Sequence, residues 1–139
     1  MHPFQINFLD HVAIKVNDMA ISIEWYEKVI GLKRVDLPEW KNYPAMMFAG
    51  KTGVAIFPAK QDENNSIEKK QIRIDHFAFN VSRENFEAAK RHYESIGQPY
   101  SFQDHFYFHS IYTNDPDGHI VELTTLVTDE GTVYRIEHG

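Results

Sequence analysis

The chain has no cysteine among its 139 residues. That absence excludes disulfides, thiolate metal ligands and a cysteine nucleophile together, leaves any bound metal to nitrogen and oxygen donors, and makes the cytoplasm the expected compartment. Long apolar runs are also missing. None approaches the roughly 20 residues of a membrane span, so no transmembrane helix is expected. The start, Met1-His2-Pro3-Phe4-Gln5, lacks the basic-then-apolar order of a secretory leader. Positive charge is scarce: 14 Lys and Arg face 20 Asp and Glu, for a net charge of −6. Neither a nucleic-acid footprint nor an anionic membrane surface suits that balance. What is plentiful is core material. Hydrophobic residues make up 42% of the chain and aromatics 14%, which argues against disorder and for one domain or two small modules sharing a core.

The strongest positive signal is an internal repeat. Residues 10–16 read Asp-His-Val-Ala-Ile-Lys-Val and residues 75–81 read Asp-His-Phe-Ala-Phe-Asn-Val, each followed by a helical stretch and a glycine. His11 and His76 are 65 positions apart, and Gly31 and Gly97 are 66 apart. Such self-similarity decides the architecture before any single element does. Asp18 and Ser82 are placed to cap the two helices, Gly31 and Gly97 to end them. Ile23, Tyr26 and Ile30 form one apolar stripe; Phe86, Ala89, Tyr93 and Ile96 form the other. Short strands follow in each half, near 33–36, 45–49 and 53–58, then near 99–102, 106–114 and 119–126, split by Pro38, Pro44 and the Gly50–Gly53 turn. Each module is β-α-β-β-β, an α+β organisation. Module 1 spans about 6–59, a polar linker containing Lys69-Lys70 about 60–71, module 2 about 72–126, and a tail 127–139.

Strand alternation then sorts the faces. In 10–16 and 75–81 the side without histidine is apolar and suits packing under a helix. Glu122 alternates with Val121 and Leu123, so it also faces away from the helix. Pro116-Asp117-Gly118 fits a three-residue hairpin loop, which sets Asp115 opposite His119 and Tyr112 opposite Glu122. Cross-strand partners share a face. Two repeated histidines and one late glutamate thus make a candidate metal site. Each histidine alone would read as a satisfied polar residue on a sheet, and the glutamate alone as a solvated one; the repetition favours ligands. His92, His109 and His119 read as surface or structural residues.

These residues resemble the vicinal oxygen chelate superfamily, which includes glyoxalase I, extradiol dioxygenases, fosfomycin-modifying thiol transferases and bleomycin-resistance proteins. The resemblance covers about residues 8–126 and rests on Asp10-His11, Asp75-His76 and Asp115-Pro116-Asp117-Gly118 followed by Glu122. It implies two βαβββ modules forming a half-open mixed-sheet barrel around a divalent metal, with His11, His76 and Glu122 as ligands, a small-molecule substrate and a homodimer. In glyoxalase I a fourth ligand comes from the first module. The glycine offset of 66 puts its equivalent at Ile56, which cannot bind a metal, so three protein ligands are expected.

The run from His105 through Ile111-Tyr112 and Asp115-Pro116-Asp117-Gly118 to Glu122 is similar to the extradiol dioxygenase signature, with Gln103 as a departure. That similarity implies an acid/base role for His105 and a hydrogen-bonding role for Tyr112, and favours Fe(II), with Mn, Ni, Co or Zn as alternatives. The expected function is therefore extradiol-type dioxygenase chemistry on a substrate that chelates through two neighbouring oxygens. Ring-cleaving enzymes are often about twice this length. The alternatives are a glyoxalase-like lyase or isomerase, a fosfomycin-type thiol transferase, and a bleomycin-resistance-like binder. Ser110-Ile111-Tyr112 before the turn suits the transferase; the acidic residues 127–139, with no basic arginine-bearing segment, do not.

Overall fold

The computed structural model describes residues 2–36, 44–59 and 73–134. The linker read over 60–71 with Lys69 and Lys70, and Pro38, lie outside the described residues. The chain divides into two compact units, residues 1–72 and 73–139. Each unit carries one four-stranded mixed sheet and a helix, in the same order.

In the first unit β1 (His11–Val16) leads into α1 (Met19–Trp25) and then β2 (Lys33–Val35), β3 (Ala45–Ala49) and β4 (Thr52–Pro58). The sheet order is β1-β4-β3-β2, with β1 parallel to β4 and the other pairs antiparallel. Asp18 caps α1, its Oδ1 accepting from the Ile21 N–H at 3.0 Å. The helix does not run on regularly. Over Tyr26–Ile30 it widens into a π turn, with the Gly31 and Leu32 N–H groups both donating to the Tyr26 carbonyl at 3.0 Å. The buried stripe is therefore Ser22, Tyr26 and Val29, where regular periodicity predicts Ile23, Tyr26 and Ile30. The extra residue in the turn moves Val29 inward and leaves Ile30 half-buried.

The second unit repeats the plan with β5 (His76–Asn80), α2 (Arg83–Ile96), β6 (Ser101–Asp104), β7 (Phe108–Asn114) and β8 (Ile120–Leu126), and ends on the short α3 (Glu130–Val133). The order is β5-β8-β7-β6. The Ser82 Oγ accepts from the Asn85 N–H at 3.1 Å, and Gly97 closes the helix with φ +71°. β6 begins two residues later than the pattern predicts, because Pro99 has no N–H to give a ladder. Phe86 and Tyr93 of α2 and Ile111 and Val121 of the sheet are fully buried, each large apolar side chain contributing about 1.5–3 kcal/mol. None of the described helices is long and apolar enough to cross a membrane.

Tyr93 pays unusually for its place in that core. Its hydroxyl finds no hydrogen-bond partner among the described residues, and burial pushes its phenol from 10.0 up to about 12. The raised value fixes the sign of the pH dependence. The neutral phenol's contribution is complete below pH 10 and is lost as pH climbs to about 12, a span worth about 3 kcal/mol at most. Tyr93→Phe removes an orphaned polar group. It should be neutral or stabilising at pH 8 and should flatten the loss of stability between pH 10 and 12 in urea titrations. An alkaline loss as steep as wild type would count against this account.

Candidate metal centre

The repeated Asp-His pairs perform the same local task in both units. His11 Nδ1 lies 2.8 Å from Asp10 Oδ1, and His76 Nδ1 lies 2.7 Å from Asp75 Oδ2. A carboxylate accepts and cannot donate, so each Nδ1 carries the N–H and each Nε2 presents a lone pair. An adjacent acid that fixes the imidazole in this way is a common companion of metal-binding histidines. Both strands turn the histidine toward the face opposite the helix, and both imidazoles are partly exposed.

In the second unit β5 and β8 run parallel, pairing His76 with Ile120 and Ala78 with Glu122. This brings His76 Nε2 to 3.0 Å from Glu122 Oε1. Two lone pairs facing each other at that distance call for a shared cation, a proton or a metal ion. The separation matches the edge of an octahedron with bonds of about 2.1 Å. Glu122 is otherwise buried. Its second oxygen, Oε2, accepts from Ser110 Oγ at 2.7 Å, and Ser110 Oγ lies 3.0 Å from Thr124 Oγ1. Only Oε1 is thereby left for a ligand bond. The nitrogen and oxygen donors, their fixed tautomer and their spacing all fit a divalent ion.

Ser110 and Thr124 have no assigned role in the sequence reading. The signal was available: alternation from Tyr112 puts Ser110 on the Glu122 face, and the hairpin register puts it opposite Thr124. Ser110→Ala leaves Oε2 unsatisfied, and should weaken Mn(II) affinity about 10–100-fold. Calorimetric titration measures this, and an unchanged affinity would show that the hydroxyl does not orient the carboxylate.

Tyr112 stands opposite Glu122 across β7 and β8, as the hairpin register predicts. The turn is built as expected too. The Asp115 N–H donates to the His119 carbonyl at 2.9 Å, Gly118 takes φ +88°, and the buried Asp115 carboxylate accepts from the Asp117 and His119 N–H groups. His105 Nε2 lies 2.8 Å from the Tyr112 hydroxyl. The β6–β7 hairpin places it there: Phe106 adopts φ +73°, held by its N–H donating to Asp104 Oδ1 at 2.9 Å. Burial, and then the Glu122 charge, raise the Tyr112 phenol above its ordinary value. It therefore remains a proton donor at neutral pH. His109 pairs with Thr125 on the opposite face, against the Phe102 ring.

The structure brings together His76, Glu122, Tyr112 and His105 in one unit. His11 stands on β1 of the other, and among the described residues no group of three or more histidines and carboxylates is assembled. One sequence expectation needs correction. The first-module equivalent of Glu122 is Ala55, not Ile56. Ala78, two residues after His76, pairs with Glu122; Ala13, two residues after His11, pairs with Ala55. Ile56 pairs with Ile14 on the helix side and is fully buried. A one-residue slip in register exchanges the two faces of a strand. Alanine offers no donor either, so this position supplies no fourth ligand.

The chain is similar to known proteins over nearly its full length. It is 28% identical to the metallothiol transferase FosB of Staphylococcus epidermidis, covering 96% of this chain and 93% of that one. It is 27% identical to the glutathione transferase FosA of Serratia marcescens, covering 83% and 78%. Its fold matches the crystal structure of the fosfomycin resistance protein FosX from Mesorhizobium loti with a TM-score of 0.64 and 21% identity, covering 93% and 100%. With residues 8–123 matching its family model, the chain belongs to the Glyoxalase/Bleomycin resistance protein/Dioxygenase superfamily.

Proposed function

We propose that this protein is a metal-dependent enzyme acting on a small molecule that chelates through two neighbouring oxygens, and that its reaction is transfer of a thiol to that molecule. The observation that carries the metal reading is the facing pair His76 Nε2 and Glu122 Oε1, each with its other polar atom already engaged. His11 is the third ligand, on the strength of the same Asp-His arrangement. A homodimer is part of this reading. A divalent ion held by these residues would supply Lewis acidity to stabilise developing oxyanion charge.

The remaining residues handle protons. Tyr112 holds its proton at neutral pH and stands beside both Glu122 and His105. As the thiol sulfur forms its bond to carbon and the C–O bond breaks, Tyr112 delivers a proton to the departing oxygen. His105, in contact with the phenol, takes up the proton that the thiol gives up and returns it to Tyr112, so the step leaves no net change of protons. Thiol transfer is preferred because two relatives so named match most of the chain. Extradiol-type dioxygenase chemistry with Fe(II) is the second reading, favoured by the 2.8 Å His105–Tyr112 contact, which suits deprotonation of a catechol.

The test begins with titration of the full chain with Mn(II), Fe(II), Ni(II) and Zn(II). Stoichiometric binding is expected, and its failure for every ion would leave a ligand-binding protein instead. Loaded protein is then assayed for consumption of glutathione or cysteine with fosfomycin, for O₂ uptake with catechols, and for turnover of methylglyoxal with glutathione. O₂ uptake without any thiol transfer would replace the first reading with the second.

A further inference from the structure

The open face of the second sheet holds a cleft of about 540 Å³ beside His76 and Tyr112. That volume suits a small organic ligand. His76 and Tyr112 mark the reacting end, and the chemistry of the rest of the lining is distinctive. Gln103 and Asn114 line it with side-chain amides, and Ser101 with a hydroxyl. Tyr100 already donates its hydroxyl to Glu94 at 2.7 Å, so that hydroxyl is engaged outside the cleft. The ionised group in the lining is an acid, Asp75, whose carboxylate is turned to His76 Nδ1. Among the described residues no lysine or arginine lines the cleft.

We infer that the substrate is uncharged beyond its two chelating oxygens and carries a hydrogen-bonding group such as an amide or hydroxyl, which Gln103 and Asn114 recognise. This rests on the metal reading above. An amide side chain offers both a donor and an acceptor and suits a neutral polar tail. A carboxylate tail meets no lysine or arginine among the described residues that line this face, and Asp75 disfavours it.

Two catechol probes that differ in the tail are 3,4-dihydroxybenzamide and 3,4-dihydroxybenzoate, each compared with its own affinity for Mn(II) in solution so that the difference in catechol acidity is removed. Calorimetry on the Mn(II)-loaded full chain should show the benzamide binding at least about tenfold more tightly, and Gln103→Lys, a change on an exposed strand position, should shrink or reverse that ratio. Metal-dependent binding in which the benzoate is as tight or tighter overturns the inference while leaving the metal reading intact. Binding of neither probe above the metal-free level overturns the inference, whereas failure of the chain to take up Mn(II) in the first place, measured by titration, overturns the metal reading.

Discussion

Glu122→Gln should bind Mn(II) at least about a hundredfold more weakly than wild type and should lose metal-dependent turnover with it. The substitution preserves size and shape. Ser110 still has an oxygen to donate to, so the hydroxyl that braces the side chain at 2.7 Å keeps its partner. The negative charge at Oε1 is lost. The amide's carbonyl oxygen faces either Ser110 or His76, and its NH₂ group must take the other place. Against His76 Nε2, 3.0 Å away, an NH₂ group can donate to the imidazole lone pair and replace a metal bridge with a hydrogen bond. The apo protein should therefore melt close to wild type. The wild type should gain stability when metal is added, because a ligand bound only by the folded state stabilises it by mass action; the variant should gain little. The decisive measurement is a pair of melting curves for each protein, with and without Mn(II). An equal metal-induced rise in both would exclude Glu122 as a ligand.

Much of this centre is legible from the sequence, because strand alternation and a hairpin loop are local rules. The faces of His11, His76 and Glu122 follow from period-two patterning. The pairing of Tyr112 with Glu122 follows from counting outward from Pro116-Asp117-Gly118. Offsets between the two modules are less reliable because small length differences accumulate along the chain. The histidines are 65 apart and the helix-ending glycines 66 apart, whereas the ladder pairs Ala55 where its counterpart pairs Glu122, 67 positions on. The parallel pairing between first and last strands sets that register, and no local pattern encodes it. The π turn at Tyr26–Ile30 is illegible for a similar reason: its apolar residues fit a regular helix, and tertiary packing selects Val29 over Ile30. The His105–Tyr112 contact depends on Phe106 at φ +73°. Propensity gives no warning of that conformation in a bulky residue, since left-handed geometry there is uncommon.

Gly53→Ala should destabilise the first unit by about 3 kcal/mol or more, a large fraction of the roughly 5–15 kcal/mol that holds a domain together. Gly53 lies in β4, the strand that joins β1 to β3, and it pairs with His11 on one side and Phe48 on the other. Its N–H donates to the Asp10 carbonyl at 3.1 Å. A Cβ at this position would collide with the Met47 carbonyl oxygen and come within 2.9 Å of Phe48 Cα. Both are backbone atoms of the neighbouring strand, so no rotamer change relieves the contact. Either β3 moves away from β4 and the ladder is disrupted, or β4 shifts and pulls on the Asp10–His11 segment. Gly131 provides the control. It lies in α3, and a methyl group there would meet nothing within 4 Å, so Gly131→Ala should be neutral or slightly stabilising through helix propensity. Urea unfolding of the three proteins separates these outcomes. A Gly53→Ala protein within about 0.5 kcal/mol of wild type would mean that the strand relaxes freely, and that close backbone approach does not fix the geometry beside His11.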